Sequence, residues 1–294
     1  MFPPVRSVVS VQSHVAYGHV GNAAAVFPLQ RMGFEVWPVH TCQLSSRLGY
    51  PDVRGDIFRP AHVRDVLSGL DSNGILGQCS AMVSGFLGRA ALGKVIAKAV
   101  CRMRDCNQES LYVCDPVMGD DNASGTGVLY APADIPAFFA DCLVPMADVV
   151  VPNRFELALL AGMDVRTVED ALKAAKIVIG RGPRLVVTTS LPLPDPGEIG
   201  CLAVTAEQAW LVRAERIPVK ASMHGTGDIF TALLTGALLH DVPVPQATAH
   251  AASSLHAIIK ETVRREEVEP QLIICQEYLL TPPYLFDAES LVSG

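Results

Sequence analysis

The chain has 294 residues, of which 50% are hydrophobic and 18% are charged, and its formal net charge is −7. This length suffices for one large core or two modest ones, and the low charged fraction predicts that much of the chain is buried. The negative net charge and the lack of a basic stripe argue against nucleic-acid binding. The densest charge cluster, KETVRREEVE at 260–269, is mixed in sign and is interpreted as a solvated helix face.

The eight cysteines point to a reducing compartment. None forms a C-x-x-C pair, and several lie in apolar runs, where cysteine behaves as a small hydrophobe. The first residues, MFPPVRSVVSVQ, lack a basic segment followed by a signal-type apolar core. The apolar stretches are too short or too interrupted to span a membrane. We therefore expect a cytoplasmic protein with no membrane partner, no structural zinc and no disulfide scaffold.

Strand candidates alternate with helix candidates through most of the chain. The predicted strands lie at 7–12, 34–40, 80–86, 111–117, 147–153 and 184–190. The predicted helices lie at 22–33, 60–70, 92–103, 154–162 and 168–180. Alternation of this length predicts parallel β-α-β units, with helices on both faces of a sheet.

The pattern changes after the sixth predicted strand. Residues 199–217 read as two strands joined by a short turn around Glu207, which predicts a hairpin at one edge of the sheet. Two long helices follow, at roughly 227–240 and 245–265. Since no repeat or linker interrupts the chain, residues 1–294 are predicted to form a single α/β domain.

Polar residues follow several of the predicted strands. Ligands of open parallel sheets gather at the carboxyl ends of the strands, so these side chains are expected to meet along one edge. Oxygen ligands of this kind suit Mg²⁺, which keeps waters to share with phosphates. For Asp115 alone, before a proline, a simple turn former is an equally good interpretation. The residues concerned are Asp115, Asp120, Asn153, Glu156 and Asp228.

The sequence HGTGDI at 224–229 opens the first of the two long helices with a glycine loop and an acid. A helix N-terminus holds anions, and glycines let the backbone approach them closely. Asp228 is therefore either a helix cap or a base that faces a bound phosphate. No Walker-type loop, dinucleotide-binding glycine motif or G-x-S-x-G elbow occurs, so GTGD is the phosphate-cradling candidate.

These motifs together resemble pyridoxal kinases of the ribokinase superfamily. The resemblance rests on QSHVAYGHVGN, VSGFLG, YVCDPVMGD, VVVPNRFELALLAG and HGTGDIFTALLTG, in order and over nearly the whole chain. It implies a ribokinase-like three-layer sandwich, with a mostly parallel central sheet, helices on both faces and an edge hairpin. It also implies ATP, Mg²⁺ and a small-molecule vitamer as partners, a monovalent cation such as K⁺ near GTGD, and a homodimer.

The resemblance also implies roles for individual residues. Asp228 would be the catalytic base for the 5′-hydroxymethyl of the substrate. The backbone N–H groups of Gly225, Thr226 and Gly227 would form an anion hole. Ser13 would hydrogen-bond the pyridine ring, although a strand-end serine bonded to the backbone is as good an interpretation.

Other residues would hold Mg²⁺ and the ATP phosphates: Asp115, Asp120, Asn153 and Glu156. Of these, Asp115, Asp120 and Glu156 would be closest to the metal. Tyr130 and Thr189 would lie near the nucleotide. Glu156 has an alternative role as a first-turn acid that suits the helix dipole.

The sequence departs from the family where the substrate ring would bind. The usual run there is close to Q-F-S-N-H-T-G-Y, whereas this chain has QLSSRLGY at 43–50. Leu44 replaces a stacking aromatic residue, Arg47 and Leu48 replace His and Thr, and Phe86 stands where Tyr is common. The phosphoryl-transfer residues therefore look intact, and the vitamer-binding side looks altered.

Three hypotheses follow. The first is a kinase for pyridoxal or a related B6 vitamer. The second is a kinase for another hydroxymethyl heterocycle, such as hydroxymethylpyrimidine, which the changed loop suggests. The third is a catalytically weak paralogue that binds a nucleotide or pyridoxal phosphate, against which the retained GTGD argues.

Overall fold

The computed structural model describes residues 5–121, 127–219 and 223–291, and within them it forms a ten-stranded sheet and a separate two-stranded ribbon. The order across the large sheet is β12-β11-β10-β9-β8-β5-β4-β1-β2-β3, and the ribbon is β6-β7. The strands are β1 (Ser7–Tyr17), β2 (Glu35–Ser46), β3 (Gly55–Ile57), β4 (Ala81–Ser84), β5 (Leu111–Cys114), β6 (Gly119–Asp121), β7 (Gly127–Leu129), β8 (Val149–Val150), β9 (Leu185–Pro192), β10 (Glu198–Val204), β11 (Ala209–Glu215) and β12 (Ala288–Leu291).

The centre of the sheet is parallel and its margins are antiparallel. Strands β2, β1, β4, β5, β8 and β9 pair in parallel, as the strand–helix alternation predicts. The β10–β11 hairpin forms as expected, with Val204 paired to Ala209 beside the turn. It is not the outermost element, because the C-terminal strand β12 pairs along β11. At the other margin β3 pairs antiparallel with the end of β2.

Helices cover both faces of the sheet and complete a three-layer sandwich. The helices are α1 (Asn22–Arg31), α2 (Pro60–Ser72), α3 (Ala90–Cys106), α4 (Ile135–Phe138), α5 (Val144–Met146), α6 (Arg154–Ala161), α7 (Val168–Ile179), α8 (Thr226–Leu239) and α9 (Val244–Arg264). Buried residues of α2, α3, α4, α6 and α7 form one core with the sheet, and those of α1, α8 and α9 form the other. Neighbouring strand residues divide between the two cores, as the two-residue period of a strand requires: Val8 faces one core and Val9 the other.

Helix α8 lies inside the second layer rather than on its surface. From Ile229 to Ala237 its side chains are buried against the sheet, α1 and α9. A helix that is apolar all round is stable only when it is covered all round. This burial fixes the axis of α8, and with it the position of the GTGD loop at its N-terminus.

Two stretches differ from the sequence-based prediction. Strand β2 continues to Ser46, so most of the altered substrate loop is strand, held between β1 and β3. The predicted solvated helix face at 260–269 is wrong at its end: α9 stops at Arg264, and Glu269 is buried. A buried carboxylate needs a partner, and the chain supplies one from the altered loop.

In the described part of the chain, none of the helices is long and apolar enough to cross a membrane. The turn-rich stretch 120–127, whose composition suggests a flap over the nucleotide, falls largely outside the described residues.

Candidate active site

Asp115 is the centre of a buried acidic cluster at the carboxyl end of the sheet. It follows β5 directly and is 4% exposed. The Thr231 hydroxyl of α8 donates a hydrogen bond to its Oδ2 at 2.9 Å. Burial, and then the charges of Glu156 and Asp228, raise the pKa of Asp115 well above its ordinary value. Strand β5 and helix α8 thus bring Asp115 and the GTGD loop together.

Glu156 and Asn153 form a capping box at the start of α6. The Asn153 side chain accepts from the Glu156 N–H at 2.9 Å, and Glu156 Oε2 accepts from the Asn153 N–H at 2.9 Å. Glu156 Oε1 also accepts from the Met118 N–H at 2.8 Å, and the Asn153 amide donates to the Gly119 carbonyl at 2.8 Å. The capping role of Glu156 is therefore present in the structure, and the same bonds tie the 118–119 segment to α6.

Burial disfavours the ionised form of Glu156. It is 3% exposed, and burial raises its pKa to about 8, against the lowering effect of its three backbone donors. A nearby cation favours the ionised form of such a group. The side chain is therefore suited to a site that receives positive charge.

Asp228 lies in the first turn of α8 and is half-buried. Its carboxylate accepts a hydrogen bond from the backbone N–H of Gly21, the residue that precedes α1. Burial raises the pKa of Asp228 to about 6, with this hydrogen bond acting in the opposite direction. A carboxylate with this pKa is ionised at neutral pH and accepts a proton more readily than an ordinary aspartate does. The Gly21 N–H belongs to another segment, so Asp228 links the start of α8 to the turn before α1, and its role as a cap or as a base stays a prediction.

The N-terminus of α8 is open. Gly225 is its N-cap, with φ +84°, and it provides no side-chain cap. A Cβ at this position would overlap the carbonyl oxygen of His19, so the loop needs glycine both for its backbone angle and for its close packing. The first N–H groups of a helix have no partner within the helix. Gly225, Thr226 and Gly227 can therefore present N–H groups to an anion beside Asp228.

The remaining nucleotide-side candidates surround this cluster. The parallel bridge between Asn153 and Thr189 places the end of β9 beside the start of α6. Tyr130 lies next to the β6–β7 ribbon, and its N–H donates to the Met118 carbonyl at 3.1 Å. Burial raises the pKa of Tyr130. Four carboxylates raise it further, so all of them lie within electrostatic reach of the Tyr130 hydroxyl: Glu156, Asp120, Asp115 and Asp228. These contacts and charge effects place the acidic candidates near one another at this edge of the sheet, and their roles stay predictions.

The cluster is acidic but is not a ready metal cage. Among residues 5–121, 127–219 and 223–291, no three His, Cys, Asp or Glu side chains are arranged to hold an ion. Carboxylates that raise one another's pKa are nevertheless a donor set that a divalent cation would stabilise. Mg²⁺ keeps several waters and binds through one or two carboxylates together with phosphates, so it does not need a complete protein cage.

The substrate-side candidates begin beside Asp228. Ser13 lies where the β1–β2 register shifts, and Gly21 packs directly against its carbonyl and Oγ. Gly21 therefore separates Ser13 from Asp228. Phe86 follows β4, is half-buried, and accepts a hydrogen bond at its carbonyl from the Thr41 hydroxyl at 3.0 Å. These placements leave the roles of Ser13 and Phe86 as predictions.

The altered loop divides into three kinds of residue. Leu44 is half-buried in β2, opposite Val15. Leu48 is 54% exposed. Arg47 is buried, and its guanidinium is committed to Glu269 at 2.8 Å. Of the three, Leu44 keeps an apolar side chain within β2, Leu48 projects largely into solvent, and Arg47 has a protein partner.

Sequence reasoning missed several residues of this region. Thr231 orients Asp115, Gly21 donates to Asp228, and Glu269 anchors Arg47. The GHVGN segment, which is part of a motif that carries the family resemblance, contains Gly21, but no role was predicted for that glycine. For Glu269, a lone acid in a mixed charge cluster, the sequence carries no signal.

Comparison with known proteins shows the family of the chain. The sequence model of the phosphomethylpyrimidine kinase family matches residues 72–271. A pyridoxal kinase PdxY of Rubrobacter xylanophilus is 47% identical over 283 residues, covering 95% of this chain and 96% of that protein. A pyridoxal kinase PdxY of Deinococcus radiodurans is 43% identical over 290 residues, covering 97% and 96%. The solved structure of pyridoxal kinase from Leishmania donovani with ADP and pyridoxamine superposes with a TM-score of 0.91 at 28% identity, covering 98% of this chain and 100% of that one.

Proposed function

Because the chain belongs to the pyridoxal kinase family, within the group that the phosphomethylpyrimidine kinase model describes, we propose that it phosphorylates a B6 vitamer. The reaction transfers the γ-phosphoryl group of ATP to the 5′-hydroxymethyl oxygen of pyridoxal or a related vitamer. The observation that carries the proposal is the position of Asp228, a carboxylate with a pKa of about 6 at the open N-terminus of α8. A paralogue that only binds nucleotide has no need of a proton acceptor there.

In this mechanism Asp228 takes the proton from the substrate hydroxyl as its oxygen attacks phosphorus. The N–H groups of Gly225, Thr226 and Gly227 stabilise the charge that develops on the transferred group. Each such donor is worth about 3 kcal/mol, or roughly a hundredfold in rate. Phosphoryl transfer depends mainly on positioning and charge neutralisation, which these groups supply.

In this proposal the acidic cluster binds the divalent cation. Mg²⁺, when bound, neutralises charge on the ATP phosphates. Asp115, Asp120 and Glu156 would hold it, and the Glu156 carboxylate, which already accepts from three backbone N–H groups, would contribute negative charge. Asn153, Thr189 and Tyr130 position the nucleotide. A monovalent cation near 225–228 belongs to the proposal by resemblance, and no ligand set is assigned to it.

The vitamer lies on the other side of Gly21. Ser13 hydrogen-bonds the pyridine ring, and Leu44 and Phe86 contact its faces. Arg47 and Leu48 form the loop beside it. We propose that the whole chain acts as one cytoplasmic kinase domain and assembles as a homodimer, as the family resemblance implies.

A second candidate is a kinase for hydroxymethylpyrimidine. Two observations favour it: the replaced residues of the 44–48 loop, and the match to the phosphomethylpyrimidine kinase model. Both candidates use the same base and anion hole, so the difference between them lies only in the ring pocket.

The test is ATP turnover with pyridoxal, pyridoxine, pyridoxamine and hydroxymethylpyrimidine as acceptors. We expect one of the three vitamers to have the highest kcat/KM. Preference for hydroxymethylpyrimidine would support the second candidate. Nucleotide binding without turnover of any acceptor would overturn both and favour the catalytically weak paralogue.

A further inference from the structure

Arg47 and Glu269 form a buried ion pair between two segments that are far apart in the chain. Arg47 Nε donates to Glu269 Oε1 at 2.8 Å, and the two side chains are 9% and 7% exposed. Burying two charges is costly, and removal of one partner leaves the other uncompensated. Removal of one partner is therefore more disruptive here than in an exposed pair, so the positions of the two segments are coupled.

The pair belongs to a larger clasp, which we define as Arg47, Tyr50, Glu269 and the backbone of Gly18–His19. The Tyr50 hydroxyl donates to Glu269 Oε1 at 3.0 Å, and the Arg47 guanidinium lies over the Tyr50 ring, 5.0 Å from its centroid. The His19 N–H donates to Glu269 Oε2 at 3.2 Å. Both oxygens of Glu269 are thereby used, one toward the altered loop and one toward the turn after β1.

Gly18 shows how closely this turn sits on Glu269. Its φ is +96°, and a Cβ there would lie 2.9 Å from the Glu269 carboxyl carbon. Any other side chain would force the turn and the carboxylate apart. The turn is therefore shaped around the Glu269 carboxylate.

The same turn reaches the proposed base. The His19 carbonyl packs directly on Gly225, the N-cap of α8, and two residues further on Gly21 donates to Asp228. Burial lowers the pKa of His224, the residue before Gly225. The charge of Arg47 lowers it further, whereas Glu269 raises it. The clasp thus lies within electrostatic reach of the GTGD loop as well as of the ring-binding loop.

We propose that the clasp is a positioning device for the vitamer, in which Arg47 fixes the 44–50 loop against the 18–21 turn. With both segments fixed, the ring held between Ser13 and the loop presents its hydroxymethyl group to Asp228 in one alignment. Arg47 is thus a positioning residue that acts through Glu269. The inference rests on the proposed function, because it assumes a ring bound beside Ser13.

The experiment compares steady-state kinetics of the wild type, Arg47→Met, Arg47→Lys and the double variant Arg47→Met/Glu269→Gln. Arg47→Met should raise the KM for pyridoxal about tenfold and lower kcat/KM by about a hundredfold, the scale of a misplaced substrate. The KM for ATP should stay within about twofold of the wild-type value, since the side chains of Arg47, Tyr50 and Glu269 hydrogen-bond within the clasp and to Leu48, and they reach the GTGD loop only through the His19 backbone. Arg47→Lys keeps the charge and should recover most of the loss.

A matched control is Arg104→Met. Arg104 pairs with Asp148 at 2.7 Å at the opposite, amino end of the strands. This variant should lower the melting temperature but leave both KM values unchanged. If Arg47→Met does not fold, the double variant is used instead, because it removes both charges and leaves no buried carboxylate unpaired.

Two results would overturn the inference. One is wild-type kinetics for pyridoxal in Arg47→Met or in the double variant. The other is a loss shared equally by pyridoxal and ATP, which would indicate a purely structural pair. A wild-type protein that phosphorylates none of the vitamers overturns the proposed function as well, so the two failures are distinguishable.

Discussion

The phosphate side and the ring side of the candidate site are built in different ways. On the phosphate side, Asp115 ends a strand, Glu156 and Asn153 begin a helix, and Asp228 begins another. On the ring side, the 43–50 segment is held by pairing to β1 and β3 and by a buried ion pair to Glu269. The first side depends on the ends of regular elements, and the second depends on strand pairing together with the contacts of Glu269.

This difference explains which half of the site tolerates change. Strand ends and helix N-termini are fixed by the sheet and the two cores, so their polar residues keep their geometry whatever the ligand is. The ring side lies in β2 and the turn that follows it, and the position of this turn also depends on the buried Arg47–Glu269 pair, so a few substitutions can reshape it. By the family resemblance, the candidate residues of the first side match the usual pattern and those of the second depart from it.

The largest effect is expected on the phosphate side, from Asp228→Asn. Loss of the proton acceptor should lower kcat at least about a hundredfold, within the range for a general base, with little change in the KM for ATP. Steady-state assays at saturating vitamer measure this directly. A rate near that of the wild type would mean that the carboxylate only caps the helix.

Gly225→Ala tests whether the close packing of the GTGD loop against His19 matters for activity. The added Cβ would overlap the His19 carbonyl, so we expect kcat to fall by about ten- to a hundredfold through displacement of the anion hole. Gly33→Ala is the matched control, because Gly33 has a similar φ of +90° and nothing within 4 Å of the new Cβ. That variant should lose only about 1 kcal/mol of stability, with normal kinetics. Equal behaviour of the two variants would mean that the close approach to His19 is irrelevant to activity.

The pH dependence follows from the pKa of Asp228, about 6. The base works only when ionised, so kcat should rise about tenfold per pH unit below 6 and level off above it. Burial raises the pKa of Glu156 to about 8 and that of Tyr130 well above its ordinary value, so these two groups carry little negative charge near pH 6 and do not move the midpoint. A kcat that is constant between pH 5 and 7 would contradict this assignment.

The raised pKa of Asp228 also makes the folding stability of the protein depend on pH. Protonated Asp228 favours the folded state, so this contribution is present below the unfolded pKa of about 3.9 and is lost as the pH rises through about 6. At pH 7 the free energy of unfolding of Asp228→Asn should therefore exceed that of the wild type by about 1 kcal/mol, seen as a higher urea midpoint. At pH 4 the two urea midpoints should be nearly equal. Lower stability of the variant at pH 7 would show that the carboxylate stabilises the fold.

The smallest effect is expected on the ring side, from the pair Leu44→Phe and Leu48→Thr. Restoring a stacking aromatic is worth about 1 kcal/mol, which predicts a KM for pyridoxal about fivefold lower. Leu48→Thr alone serves as the control, since Leu48 is 54% exposed and should contribute less than Leu44. An unchanged KM in the double variant would show that this strand end does not contact the ring.

The sequence by itself predicted the parallel α/β architecture that the structure shows, and it named candidate residues for the phosphate side of the site. Its period-2 and helical segments fixed which faces are buried, and residues at strand and helix ends meet along one edge wherever a parallel sheet forms. The capping role of Glu156, which the sequence offered as an alternative to cation binding, was readable from its place in the first turn. Only the tertiary structure determined that Arg47 and Glu269 pair with each other, because they lie 222 residues apart in the chain. No local pattern marks such a pair, because each charge taken alone reads as a surface residue, and only the packed fold buries both together.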